Sequence, residues 1–269
     1  MKLLKKHKYN IDFIIGSVLL LFAILIVIIG LFYTPYDPNV MSNELKNISP
    51  SLLHPFGTDN FGRDILSRVM KGTGTTVIIS TMIVTIGVLF GTLIGAITGY
   101  YGGWLDEVLM RMNDALLAFP SLLLALVFVG IFGVGKYNII LALGLVFIPS
   151  FSRIVRSEFI TYKNMDFVNN AILLGASDFR IMFVHILPNT KPMLLSAVVV
   201  GLNNAVLAEA GMSFLGLGVQ PPDPSLGRML SEAQSYLFNA PWYALAPGLM
   251  IVIIVLGFSL ISGGRLFEK

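Results

Sequence analysis

Apolar positions in this chain come in long unbroken runs, without the alternation expected of a half-buried strand. The first run covers Ile11–Phe32 and is interrupted only by Asp12 and the small pair Gly16 and Ser17. Further runs cover about 76–98, 108–131, 138–157, 192–215 and 244–262. Each reaches or approaches the ~20 residues a helix needs to cross a bilayer. The pattern therefore predicts six transmembrane helices in an all-α integral membrane protein. The third and fifth spans are the least sharply bounded, because Arg111, Asp114 and Glu209 lie near or inside them. The stretch MKLLKKHK before the first run has the basic character of a signal peptide. The run that follows is too long for a signal-peptide core and lacks a small-residue cleavage site, so it reads as an uncleaved anchor.

Composition supports this reading. Hydrophobic residues make up 55% of the 269 positions and charged residues only 12%, about half the share of a soluble domain. Mean hydropathy is +0.81. A water-soluble enzyme is excluded for want of a polar surface. The net charge of +3 does not point to nucleic acid, because the basic residues sit in short segments between apolar runs. With no Cys, disulfides, thiolate metal sites and Cys nucleophiles are all absent. The three His, at positions 7, 54 and 185, are too scattered to suggest a site.

Orientation follows from Lys and Arg. With the N-terminus inside, twelve of the 18 Lys and Arg fall on inner segments, Arg265 and Lys269 among them. That bias predicts cytoplasmic N- and C-termini around an even number of spans. Two outer segments are long, 33–75 and 216–243, and both are rich in proline. Within the first, Gly62–Met70 is amphipathic in outline and predicts a helix lying along the membrane surface, capped by Asp59 or Asn60. Asp59, Arg63, Asp64 and Arg68 read as paired charges on its surface, with docking of a delivery protein as the functional rival. The chain thus divides into 1–74, an anchor plus an extracytoplasmic segment, and a transmembrane domain over 75–263.

Gly87, Gly91, Gly95 and Gly99 recur every fourth residue along the second span. Lipid supplies little solvent-driven force between helices, so a small-residue ridge that admits another backbone is the packing device to expect. Gly91→Leu should disrupt assembly, and the same change at Gly144 should matter less.

The segment 158–191 is too long for a plain connection between helices and keeps apolar residues at helical spacing. Phe167, Ala171 and Leu174 predict one face of a short helix, with Asp166 as N-cap and Gly175 as terminator. Phe179, Met182, Phe183 and Ile186 predict a second, running from Asp178. The turn between them is Gly175, Ala176 and Ser177, and Pro188 should block continuation into the next span. Helices this short are marginal alone. They need the headgroup layer, the bundle or a soluble partner to pack on.

Residues 175–189, GASDFRIMFVHILPN, resemble the inner-loop signature of ATP-binding-cassette (ABC) importer permeases. HPFGTDNFGRDILSR (54–68), GYYGGWLDEVLMRMND (99–114) and EAGMSFLGLGVQPPDPSLGRML (209–230) extend the likeness to the dipeptide/oligopeptide/nickel permease family. Within it, the chain is similar to the second permease of the pair. The resemblance implies a six-helix type I importer bundle in the bacterial cytoplasmic membrane. Its implied partners are a homologous permease, two cytoplasmic ATPases and an extracytoplasmic substrate-binding protein, in addition to membrane lipid. It also implies that 166–187 forms the coupling helices that enter a cleft of the ATPase. Family members usually carry Glu-Ala-Ala just before the glycine. Here Asn169, Asn170 and Ala171 stand there, so one salt-bridge option to the ATPase is missing.

No G-x-x-x-x-G-K-[ST] phosphate loop is present: GVGK at 133–136 and GTGTT at 72–76 both fall short of it. The chain is therefore expected to bind no cofactor, with ATP and Mg used by the partner ATPases. Arg111 lies within helical reach of Glu107 and Asp114 and reads as an ion-paired helix end, with a gate as the rival. Glu209, a turn and a half after Asn203 and Asn204, is either a packed structural hydrogen bond or part of the pathway. The two Asn could also act as polar glue between helices. The function expected is a permease subunit importing a peptide or a nickel/metal-chelator complex. A non-transporting scaffold, a secondary transporter and an intramembrane hydrolase are the weaker alternatives.

Overall fold

The computed structural model describes residues 2–263, with side chains from Ile11 onward. Arg265, Lys269 and the side chains of the N-terminal lysines, all used above for orientation, lie outside the described residues. The described residues are all helix and irregular backbone, apart from one isolated bridge between Thr58 and Asp64. In order, the helices are α1 Lys2–Phe32, α2 Ile65–Tyr101, α3 Gly103–Leu117, α4 Ser121–Phe132, α5 Lys136–Tyr162 and α6 Asp166–Leu173. Three more follow: α7 Asp178–Phe214, α8 Leu226–Ala233 and α9 Pro241–Gly263. Five of these are long and apolar enough to cross a membrane, and six spans result if α3 and α4 count as one bent span.

The bundle has two distinct ends. Glu232 of α8 reaches Arg63 at the head of α2, while Tyr100 at the foot of α2 reaches Asp178 at the head of α7. Helices α2, α5 and α9 run from the α8 end toward the α6 end, and α1, α7 and the α3–α4 pair run back. The most extensive helix packing is α2 against α5, and glycine is what lets them meet. A Cβ on Gly91 would lie 2.6 Å from the Phe151 Cβ and 2.9 Å from the Ile148 carbonyl oxygen. At Gly99 it would lie 2.6 Å from the Phe159 Cβ. Gly144 is no spectator, because its Cβ would meet the Ile86 Cγ2 at 2.8 Å.

The amphipathic piece at 62–70 is no separate surface helix. It is the approach to and first turns of α2, which runs unbroken into the membrane span, and the cap is Asp64, whose carboxylate accepts from the Ser67 amide. The apolar run at 108–131 is not one continuous helix: α3 and α4 meet at 95° across a break at 118–120. Pro120 lacks the N–H that a continuing helix would need there. Pro188 does not interrupt the helix, contrary to the sequence expectation, because 181–186 widens into a π-helix just ahead of it. The wider turn accommodates a ring that would otherwise press on the carbonyl four residues back. Asp166, expected as the cap, is the first helical residue of α6, and the cap position belongs to Met165.

Gly175 ends α6 in a left-handed conformation, φ 76°. Its amide donates to Ile172, and the Ala176 amide donates to Ala171. This double closure needs a residue that tolerates positive φ.

Candidate functional site

Three regions carry the chemistry of this chain: a cavity at mid-depth, the surface at the α6 end and a charged knot at the α8 end. The cavity, about 700 Å³, lies between the α3–α4 break, α5 and α7. Its polar groups are Ser121, Ser150, Ser196 and Asn204, set among apolar side chains such as Phe119, Phe147 and Leu207. None of its lining residues is charged. Asn203 does not line it, and the buried Asn203 Oδ1 has no hydrogen-bond partner.

Glu209 does not line it either. It is fully buried, and its Oε1 accepts from the Ser213 hydroxyl at 2.7 Å. The same hydroxyl accepts from the Val219 amide, and Thr76 of α2 accepts from the Leu226 amide. Gly227 fits tightly over the Ala210 carbonyl. Glu209 thus sits in the joint where α2, α7 and the entry to α8 meet.

At the α6 end the helices pack inward through a stripe that keeps Ala171, Met182 and Ile186 from the faces the spacing suggested and replaces their other members. Val168 and Ala171 of α6 and Ile181, Met182 and Ile186 of α7 are buried against Ala96, Val155 and Phe159. Phe167 stands at the edge, and Phe183 is half-buried. Leu173, Leu174 and Phe179 are left 84%, 88% and 69% exposed. Adjacent exposed apolar side chains of this kind mark an interaction surface. Asp178 holds the segment to α2 by accepting from the Tyr100 hydroxyl at 2.8 Å and the Tyr101 hydroxyl at 3.2 Å. The tyrosine pair is a site element that the sequence reading missed.

Arg111 pairs with Glu107 alone, in the open. Asp114 pairs instead with Arg153, and Asp106 takes Arg156 through two bonds of 2.5 and 2.6 Å. Together with the Asn113–Ser152 hydrogen bond, these clamp α3 onto α5. The helix that runs from the exposed apolar surface at the α6 end to the cavity wall is therefore tied to α3.

The charges at 59–68 are not paired on a helix surface, because all four residues are buried. Asp59 Oδ2 takes Arg63 at 2.6 Å, and Glu232 Oε2 takes Arg63 at 2.8 Å and the Tyr243 hydroxyl at 2.9 Å. Arg68 reaches Glu232 at 3.4 Å and donates to the Pro38 carbonyl. Burial disfavours the charge on Glu232, but Arg68 and Arg63 outweigh it and hold the carboxyl below its ordinary range. His54 bonds Asp64 at 2.9 Å, so it is a structural histidine. Among the described residues, no three His, Asp or Glu gather where a metal could bind.

Comparison with known proteins places this arrangement. The model of the binding-protein-dependent transport system inner membrane component matches residues 91–264. The chain belongs to this family. It is an ABC importer permease and, as such, non-catalytic. The dipeptide transport system permease protein DppC of Alkalihalophilus pseudofirmus is 40% identical over 98% of this chain and 86% of its own length. DppC of Haemophilus influenzae is 39% identical over 96% and 89%. The glutathione transport system permease protein GsiD of Escherichia coli O6:K15:H31 is 40% identical over 91% and 82%. In fold, the permease resembles a chain of the inward-facing MetNI methionine ABC transporter. That match has a TM-score of 0.59 and 18% identity, and it covers 75% of this chain and 97% of that one.

Proposed function

We propose that this permease forms half of the translocation pathway of an ATP-driven peptide importer. It would pair with a homologous permease, receive substrate from an extracytoplasmic binding protein and be driven by two cytoplasmic ATPases. In this reading α3 and α4 form one span, the bundle has six, and both termini face the cytoplasm. Residues 1–74 supply the anchor and extracytoplasmic part, and 75–263 the transport domain.

The observation that carries the proposal is the linkage of a cavity to an exposed apolar surface through shared helices. Helices α5 and α7 line the cavity, and their other ends support Leu173, Leu174 and Phe179. A motor protein gripping that surface would move the cavity walls directly, coupling the two sites through rigid elements. Asp166, Phe167, Gly175, Ala176, Ser177 and Pro188 shape the surface, and Leu174 and Phe179 are its anchors.

Peptide is favoured over a nickel or metal-chelator complex. The names of the relatives specify dipeptide and glutathione. Neutral hydroxyl and amide groups on an apolar wall also suit a polar backbone with varied side chains. Asn204 is the pathway polar group, whereas Glu209, bonded to Ser213, is structural.

The test is reconstitution of the full importer in proteoliposomes. ATPase stimulation should follow the binding protein loaded with dipeptide, and Asn204→Leu should lower peptide uptake without destabilising the bundle. Stimulation by a nickel chelate alone would overturn the substrate assignment.

A further inference from the structure

A second concavity, about 310 Å³, lies where α1, α2 and α9 meet near the α8 end. Its walls include Phe22 and Ile26 of α1, Leu66 and Met70 of α2, and Leu249 and Ile253 of α9. Pro50, Pro55 and Trp242 stand at its rim, and no lining side chain carries a charge or hydroxyl. The groove and the mid-depth cavity have no residue and no helix in common.

Water has no polar partners in such a space and does not hold it open. The groove is continuous with surfaces that are apolar and exposed along the spans: Phe22, Leu245 and Leu249 are all open on this side. If the α5–α7 side meets the pathway and the partner permease, as proposed above, this side looks into the bilayer. The rim fits the interface with water. The Trp242 indole N–H donates to the Thr58 carbonyl, which leaves the ring at the apolar boundary. Beside it, Leu52 and Leu53 project from the proline-bounded loop and are 103% and 73% exposed.

We propose that this groove seats an acyl chain of an outer-leaflet phospholipid, and that Leu52 and Leu53 dip into the headgroup boundary beside it. Of the helices, α1 touches chiefly α2 and α9. A chain seated in the groove fills the gap between these three and braces the anchor against the bundle. The occupant is a hydrocarbon tail, recognised by shape and apolarity.

The inference rests on the pathway reading, and one experiment separates the two. The intact importer is reconstituted with a phospholipid bearing a diazirine on its acyl chain, photolysed and mapped by mass spectrometry. Adducts should concentrate on Leu245, Leu249 and Ile253, several-fold above Ile14 and Leu256, which face outward on the same spans. Ala246→Phe fills the groove and should cut the Leu249 yield several-fold while leaving Leu256 unchanged. Even labelling of all five positions, or an Ala246→Phe yield at Leu249 equal to wild type, would overturn the proposal, as would crosslinks from the groove to the partner permease. Strong labelling of Phe119 and Leu207 alongside the groove would remove the pathway reading and still support the lipid site.

Discussion

Gly95→Ala adds one methyl group at the tightest point between α2 and α5. Its Cβ would lie 2.5 Å from the Ser152 carbonyl oxygen, 2.9 Å from the Arg156 nitrogen and 2.9 Å from the Val155 Cβ. Carbon contacts are comfortable at about 3.5–4.0 Å, so the helices must part by about 1 Å. Two of the obstacles are backbone atoms and the third is a branch point, so none can rotate away. The cost therefore falls at the upper end of the ~1–3 kcal/mol for overpacking, less the ~1 kcal/mol by which alanine favours helix over glycine. A net loss of about 2 kcal/mol remains, which at ~2–4 °C for each kcal/mol lowers Tm by about 4–8 °C. The assay is thermal unfolding of the purified chain in detergent, with Gly211→Ala as the control. Apart from the backbone of its own helix and its chain neighbours, no atom lies within 4 Å of a Cβ at Gly211, so that variant should melt no lower than wild type. Equal melting temperatures for the two variants would refute the close-contact argument.

Removing the Glu232 charge with Gln leaves Arg63 and Arg68 buried without one of their partners, which should cost about 3–5 kcal/mol in the same melt. Because the folded carboxyl is held below its ordinary 4.5, its contribution is complete above that value and is lost as pH falls through the folded pKa. An acid titration of wild-type Tm should therefore fall there more steeply than that of Glu232→Gln. Arg156→Asp should loosen α3 and depress uptake, and adding Asp106→Arg should restore much of the loss. Failure of the double variant to recover would remove the clamp from the account.

The spans were legible because apolar runs of that length have one use in a membrane, and Gly175 was legible because its neighbours demanded a left-handed residue. The charges at 59–68 were misread for a physical reason. Asp59 and Arg63 are spaced like an exposed helical pair, yet the Glu232 that buries them lies 169 residues from Arg63. Arg153 and Arg156 find their carboxylates 39 and 50 residues away, beyond any local spacing rule. At α6 the residues 171–174 are all apolar, so periodicity alone offers several faces. Packing against Phe159 and Ala96 selects Val168 and Ala171 and leaves Leu174 outside. The bend at 118–120 did have a local signal in Pro120, but the apolar run continues straight across it.

In the proposed mechanism, the surface around Leu174 is the grip of the motor. The chain has no Cys, so Leu174→Cys creates a single labelling position on a side chain that is 88% exposed. In the assembled importer, that thiol should crosslink to an ATPase subunit, react with impermeant reagent only from the cytoplasmic side, and be shielded when the ATPase is bound. Reaction from the outer face alone, or full reactivity with the ATPase in place and no crosslink, would contradict the account.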